Sequence, residues 1–317
     1  MSFRIVGTGR AVPENTVTNR QLSELLDTSD EWIVTRTGIQ SRYICTTESV
    51  TDLAAGAAEK AMKKAGVTAN DIEMIICATL GGDYVFPSLA CCVAGKLGAN
   101  CPSTDLNAAC TGFLYALNFA EMFYNGGKTG NILIICAERL SGRMDWRDRS
   151  TCVLFGDAAG ACVLSPGESL KYMHLSVNSD AAPLYLLSPR GNSPFSPPRG
   201  GSDFTVMDGQ AVFKFATRTL ENEARRAFGS LGLSAEDMDL FLIHQANKRI
   251  LEYVRLKLGQ PPEKFPINLD RYGNVSAASI PILLDELLEA GEITPGRRLF
   301  LSAFGAGMTY GSCVLEW

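Results

Sequence analysis

The sequence is poor in histidine, in net positive charge and in long apolar runs. Only two histidines occur among 317 residues, so few side chains compete for the role of a catalytic imidazole. A net charge of −5 offers nucleic acid no general attraction, and any anionic ligand must meet a local basic patch. No apolar run approaches the roughly 20 residues that a membrane span needs. The opening Met1-Ser2-Phe3-Arg4-Ile5-Val6-Gly7 also lacks the charged-then-apolar-then-small pattern of a secretory signal. The expectation is a soluble cytoplasmic chain with neither nucleic acid nor membrane as partner. Ten cysteines are present but form no C-x-x-C pair. Reduced thiols fit this better than disulfides or zinc, and no metal site is expected.

What remains is globular α/β material: 46% hydrophobic and 20% charged residues with thirty glycines, enough chain for two domains or one double-sized unit. The strands read as near-continuous apolar runs, which requires sheets covered on both faces. Thr51 is expected to cap a helix over 52–65 that Gly66 stops, and Ala216, Leu220, Ala224, Ala227 and Phe228 mark one face of a helix over 215–231. Residues 188–203, rich in Pro and Gly, read as a surface loop or flap.

An internal repeat runs through the chain. Residues 66–76 resemble 232–242, Asn131-Ile132-Leu133-Ile134-Ile135-Cys136 matches Arg298-Leu299-Phe300-Leu301-Ser302-Ala303, and the segment around Cys110 parallels that around Asn274 at an offset of 164. Duplicated halves follow, divided as 1–168 and 169–317.

Cys110 stands in Asn107-Ala108-Ala109-Cys110-Thr111-Gly112-Phe113, where an extended segment meets an apolar helix. The first turn of a helix offers unpaired N–H groups and a positive dipole end, which should lower a thiol's pKa and supply donors to an oxyanion. His244 ends the apolar run 239–243 and Asn274 lies in Tyr272-Gly273-Asn274-Val275-Ser276, so three chemically capable residues occupy three segment ends, where α/β sheets bind ligands.

With these, His244-Gln245-Ala246-Asn247-Lys248-Arg249-Ile250, Gly273-Asn274-Val275-Ser276-Ala277-Ala278-Ser279 and Phe304-Gly305-Ala306-Gly307, together with residues 30–39 and 151–160, the chain resembles the β-ketoacyl-acyl-carrier-protein synthase III family nearly end to end. The resemblance implies a thiolase-like α/β fold, two pseudo-equivalent halves forming a five-layered αβαβα core, and a homodimer. It implies an acyltransferase that condenses a short acyl-CoA, acetyl-CoA foremost, with malonyl-acyl-carrier protein, releasing CoA and CO2 through an acyl-Cys110 intermediate. Acyl-CoA is then a substrate, and no cofactor is implied.

Residue by residue, the resemblance makes Cys110 the nucleophile, pairs His244 and Asn274 as donors to the enolate oxygen, and gives the oxyanion hole to the backbone N–H groups of Cys110 and Ala306. Ala306 stands where the family commonly has glycine, which a backbone donor tolerates if φ is negative. Trp32 and Arg149 would flank the adenine of CoA with Arg36 near its phosphates; Thr28, Gly209, Phe213, Ala246 and Asn247 would also touch CoA. Phe86, reaching across from a second subunit, and Phe304 would bound the acyl pocket. Lys214 and Arg249 match carrier-protein docking positions. On the helix after Asn247, Ile250, Leu251, Val254 and Leu258 form the apolar face, leaving Lys248, Arg255 and Lys257 as further docking cations.

Elongating synthases and thiolases carry a second histidine or cysteine where this chain has Asn274, and hydroxymethylglutaryl-CoA synthases need a glutamate base with no matching motif here. Two alternatives stay open: a condensing enzyme or acyltransferase of specialised metabolism, and a silent partner that only binds carrier protein.

Overall fold

The computed structural model describes residues 2–189, 191, 193–195, 197 and 200–317. Near-continuous apolar strands need cover on both faces, and the chain supplies it in five layers. The first sheet takes β1 (Ser2–Ala11), β2 (Ile72–Ala78), β3 (Ser103–Leu106), β4 (Asn131–Arg139) and β5 (Asp157–Gly167), in the spatial order β1-β5-β4-β2-β3. β2 runs parallel to β3 and β4; β5 is antiparallel to β1 and β4. The second takes β6 (Leu170–Val177), β7 (Leu240–Ile243), β8 (Arg298–Gly305) and β9 (Thr309–Glu316), in the order β7-β8-β9-β6. Here one parallel pair, β7 with β8, is followed by two antiparallel ones.

Between the sheets lie two apolar helices that follow the α1 (Asp30–Thr37), α2 (Val50–Ala65) and α3 (Leu89–Leu97) segments: α4 (Gly112–Asn125) and, from the second half, α7 (Ser279–Glu289). Alternate strand residues divide between the layers. Ile76, Ala78, Ile134 and Cys136 pack with Phe113, Leu117, Leu283 and Leu284 in the central layer. Ile75, Cys77, Leu133 and Ile135 pack on α2 and α3 outside. The second sheet's outer face, with Phe241, Ile243 and Phe300, is covered by α5 (Gly209–Leu231) and α6 (Lys248–Lys257).

Local details differ from expectation. Ser49, not Thr51, caps α2, because Ser49 and Asp52 satisfy each other's backbone N–H groups while Thr51 turns to Asp83. α5 starts six residues earlier than its apolar stripe, at the point where Asp208 accepts from the N–H groups of Gln210 and Ala211. The region over 188–203 lies partly outside the described residues; it leaves from Leu184–Tyr185 and returns at Val206–Met207, which pair antiparallel.

The repeat has a different register at its centre. Asn107 Oδ1 accepts from the Ala109 N–H at 3.2 Å, and Asn274 Oδ1 accepts from the Ser276 N–H at 2.8 Å. Ala109 (φ 47°) and Ser276 (φ 51°) both sit in the left-handed region, and each opens a short 3-10 turn feeding a central helix. The same Asx turn thus stands in each half, and it pairs Asn274 with Asn107. Cys110 is therefore the counterpart of Ala277, not of Asn274.

Candidate active site

Cys110, His244 and Asn274 line one chamber of about 110 Å³ with Phe304 and Gly305. Each arrives from a rigid element. Cys110 occupies the 3-10 turn before α4, and His244 directly follows β7, its N–H held by Ser302 O at 2.9 Å. Asn274 is clamped at both backbone groups: its N–H donates to Leu154 O at 2.8 Å, and its carbonyl accepts from the Gly156 N–H at 3.1 Å.

Burial decides the protonation states. The His244 ring is buried, which pushes its pKa down to about 3, so the imidazole is neutral. Its Nδ1 lies 2.7 Å from Ser279 Oγ, its ring stands edge-on to Phe304 with centroids 5.4 Å apart, and its buried Nε2 has no partner among the described residues. A Ser279 hydroxyl donating to Nδ1 leaves the ring proton on Nε2. Asn274 spends its carbonyl oxygen on the Ser276 N–H, which fixes its amide so that the NH2 group is left for a ligand.

Cys110 departs from expectation. Its thiol is pushed up to about 12: burial outweighs the hydrogen-bonding influence of Ser276, and Glu138 adds a further rise. The helix terminus alone therefore does not make this a resting thiolate. Beside it, a Cβ on Gly305 would come within 2.8 Å of the Cys110 backbone nitrogen, so only glycine lets the two chains approach this closely. Ala306 follows and is not among the described residues with positive φ, so its methyl group brings no backbone strain.

A second cavity, of about 350 Å³, adjoins Cys110 on the other side. Leu80, Leu140, Met144, Phe155, Leu184 and Leu186 give it an apolar lining. The two spaces meet at the thiol: a chamber into which His244 and Asn274 bring polar groups, and a larger, mostly apolar pocket.

Outside the chamber, the Arg36 and Arg149 guanidinium groups lie 4.4 and 5.1 Å from the centre of the Trp32 ring. Arg149 also donates to the Asp27 carbonyl, and the Thr28 hydroxyl nearby is buried without a protein partner. Asn247 Nδ2 donates to Arg36 O at 3.1 Å, joining this groove to the chamber wall, where Gly209, Phe213, Ala246 and Asn247 all lie.

Residues 104–181 match the family described as 3-oxoacyl-[acyl-carrier-protein (ACP)] synthase III, and residues 229–317 match its C-terminal counterpart. A Clostridium acetobutylicum protein named beta-ketoacyl-[acyl-carrier-protein] synthase III is 43% identical over 100% of this chain and 99% of its own length. The crystal structure of 3-oxoacyl-[acyl-carrier-protein] synthase III from Aquifex aeolicus VF5 superposes with a TM-score of 0.93 at 39% identity, covering 100% of both chains. The priming beta-ketosynthase from the R1128 polyketide biosynthetic pathway gives 0.90 at 32% identity, covering 99% of this chain and 96% of its own. The chain belongs to the 3-oxoacyl-[acyl-carrier-protein] synthase III family. It has that family's thiolase-like fold, and it is a condensing enzyme of the acyltransferase type.

Within this synthase III chain, some residues singled out from sequence stand elsewhere than anticipated. Phe304 lies against His244 in the triad chamber and does not line the apolar cavity, because the β-strand alternation that buries it points it to the His244 side. Phe86, expected to reach across from a second subunit, is 85% exposed and is not in the lining of its own chain's cavity, which does not conflict with that expectation. Arg255 is no free cation: it is two-tenths exposed or less, bonds Glu252 at 2.7 and 3.0 Å, and donates to Gln260 O at 2.9 Å. Lys214, Lys248, Arg249 and Lys257 are exposed; Arg249 lies 5.5 Å over Phe213 and Lys257 5.5 Å over Tyr253. Lys248 packs over Gly38 at the end of α1.

Sequence reasoning missed Ser276, Ser279 and Glu138, and the roof formed by Leu184 and Leu186. Ser276 and Ser279 lie within the motif that holds Asn274, but nothing in the motif says which hydroxyl faces the imidazole.

Proposed function

We propose that this chain carries out the initiating condensation of fatty-acid synthesis, a decarboxylative Claisen condensation of a short acyl-CoA with malonyl-acyl-carrier protein. The observation that carries the reading is the meeting of Cys110, neutral His244 and Asn274 in one chamber beside an apolar pocket.

In the first half, Cys110 attacks the thioester carbonyl and CoA leaves, with the N–H groups of Cys110 and Ala306 facing the oxyanion. The acyl chain rests in the 350 Å³ apolar cavity. In the second half, malonyl-acyl-carrier protein loses CO2, and the negative charge gathers on the thioester oxygen. His244 Nε2–H and the Asn274 amide donate to that oxygen, and neither can take a proton from the substrate at neutral pH, as decarboxylation requires. The carbanion then attacks acyl-Cys110, giving the 3-ketoacyl product and returning the thiol. No step asks for a cofactor or a metal; CoA enters as substrate.

The pantetheine arm would enter past Gly209, Phe213, Ala246 and Asn247, with the adenine against Trp32 and Arg149 and the phosphates near Arg36 and Thr28. Lys214, Lys248 and Arg249 would meet the acidic carrier protein at the mouth, and Lys257 would add charge at the far end of α6. Exposed Tyr84, Val85 and Phe86 support a homodimer in which Phe86 caps the acyl cavity of the neighbouring copy; a capped cavity favours acetyl. The likeness to a priming ketosynthase of polyketide synthesis keeps a role in specialised metabolism as the second reading.

Intact-protein mass spectrometry tests this. Wild type exposed to acyl-CoAs from acetyl to long chain gains one acyl mass, acetyl best, and malonyl-acyl-carrier protein discharges it as a ketoacyl product; Cys110→Ala gains none. Loading that only non-malonyl or CoA-bound acceptors discharge would move the chain to specialised metabolism. Absence of loading would leave a carrier-binding role.

A further inference from the structure

Cys110 faces a problem that His244 does not solve. The thiol is buried and holds its proton tightly, and the imidazole is fixed as a neutral group whose Nδ1 is engaged by Ser279. Yet loading requires a thiolate. On the side of Cys110 away from His244, two buried polar groups have no use in the scheme above.

Ser276 is 1% exposed, lines the acyl cavity with Cys110, and its Oγ has no hydrogen-bond partner among the described residues. Its backbone is held at φ 51° by the Asx turn of Asn274, a conformation few residues other than glycine adopt. Glu138, at the end of β4 and also 1% exposed, accepts from the Leu80 N–H at 3.1 Å through Oε2, while its Oε1 is buried and unpartnered among the described residues. Ser276 lines the cavity with Cys110 and with Leu80, whose N–H holds Glu138, and its hydroxyl favours the ionised form of both groups though it is in direct hydrogen-bond geometry with neither. A buried carboxylate oxygen and a buried hydroxyl left unmatched beside a nucleophile are costly unless they act.

We propose that Ser276 and Glu138 form the proton relay that activates Cys110. As Sγ attacks, in the ionised state that Glu138 takes up near pH 8, the thiol proton passes to Ser276 Oγ while the Ser276 hydroxyl proton passes to the Glu138 carboxylate at Oε1. The new bond joins Sγ to the acyl carbon, the acyl–CoA C–S bond breaks, and the departing CoA thiolate recovers the proton from Glu138 through Ser276. The carboxylate is restored, and no oxidant or reductant takes part. Ser276 shares the cavity wall with Cys110, and Glu138 acts through it. The acyl-transfer part of this scheme rests on the synthase reading, whereas activation of the thiol does not.

The surroundings suit a poised base. Burial raises Glu138 to about 8; Asp157 on β5 adds to the rise, and the Leu80 N–H, Ser276 and Arg143 oppose it. Asp157 itself is held by the N–H groups of Ser141 and Cys45 and by the Ser141 hydroxyl. Besides burial, the groups that move the Cys110 thiol are Ser276, Glu138 and its own backbone N–H. From about pH 8 up to the thiol's own range, the pair keeps one proton to share.

The test is the pH dependence of iodoacetamide alkylation at Cys110, located by peptide mapping, in wild type, Glu138→Gln and Ser276→Ala, with acetyl-CoA loading followed in parallel. Wild-type alkylation should rise with pH and level off near 8. Each variant should lose that inflection, react on the order of 10²-fold more slowly at pH 8, and climb steadily toward the thiol's own ionisation. Near-UV circular dichroism identifies the folded variants, and Ser276→Ala, which removes one oxygen, serves if Glu138→Gln does not fold. Folded variants that keep the wild-type profile overturn the relay. If wild type shows the inflection and the variants lose it, but acetyl-CoA loads none of them, the relay stands and the synthase reading falls.

Discussion

At the scale of the residue, the site is governed by burial rather than by formal charge. His244 is held neutral down to about pH 3, so it serves as a hydrogen-bond donor across the physiological range. Glu138 is held protonated up to about pH 8, well above an ordinary carboxyl. The linkage has a definite sign: between pH 4.5 and 8 the native state keeps a proton that the unfolded chain has lost, so Glu138 erodes stability as pH rises. Glu138→Gln should remove that slope. Urea midpoints at pH 6 and pH 8 should show the variant gaining about 2 kcal/mol on wild type between the two; a constant difference would place Glu138 in an ordinary ionised state. That Cys110, His244 and Asn274 would be brought together was legible in the sequence, because each belongs to a segment whose neighbours resemble a known motif. The state of the thiol was not. A helix terminus is visible in sequence, but the desolvation that overrides it depends on packing by Leu80, Phe155 and Ser276 from three distant segments.

At the scale of the element, the central helices connect the halves. α7 presents Asp285, 1% exposed, to the first half, where it accepts from Thr8 Oγ1 at 2.7 Å and Lys64 Nζ at 2.6 Å and pairs with Arg10. Those partners come from β1 and α2, so one carboxylate ties three layers together. Asp285→Ala should cost about 2–4 kcal/mol, seen as a lower urea midpoint at unchanged slope, because the buried Thr8 hydroxyl loses its acceptor and only part of the cationic charge passes to Glu289. A loss below about 0.5 kcal/mol would mean that the cluster is a surface feature. Sequence periodicity located α2, α5 and α6 well because each buries a single stripe. It misjudged the starts of α2 and α5, since Ser49 and Asp208 announce a helix only through the N–H groups they accept from. It also misaligned the repeat by three residues, because the Asx turn that sets the register is a conformation rather than a composition.

At the scale of the whole molecule, the duplicated halves explain why one site suffices for two reactions. The first half contributes Cys110 from the start of α4, the second contributes His244 and Asn274, and the two sheets hold them across the central layer. The layered fold was legible because strands apolar on both faces can be satisfied only between helices. The basic face was less so: Arg255 looked free on a helical wheel, yet Glu252, three residues earlier on the same helix, neutralises it. The division of labour between halves is the central claim, and single-turnover kinetics on His244→Ala and Asn274→Ala test it most directly. Acyl transfer from acetyl-CoA to Cys110 should proceed near the wild-type rate, while CO2 release from malonyl-acyl-carrier protein should fall about 10²–10³-fold in each variant. Equal losses in both half-reactions would contradict the account, since His244 and Asn274 would then be serving the nucleophile rather than the enolate.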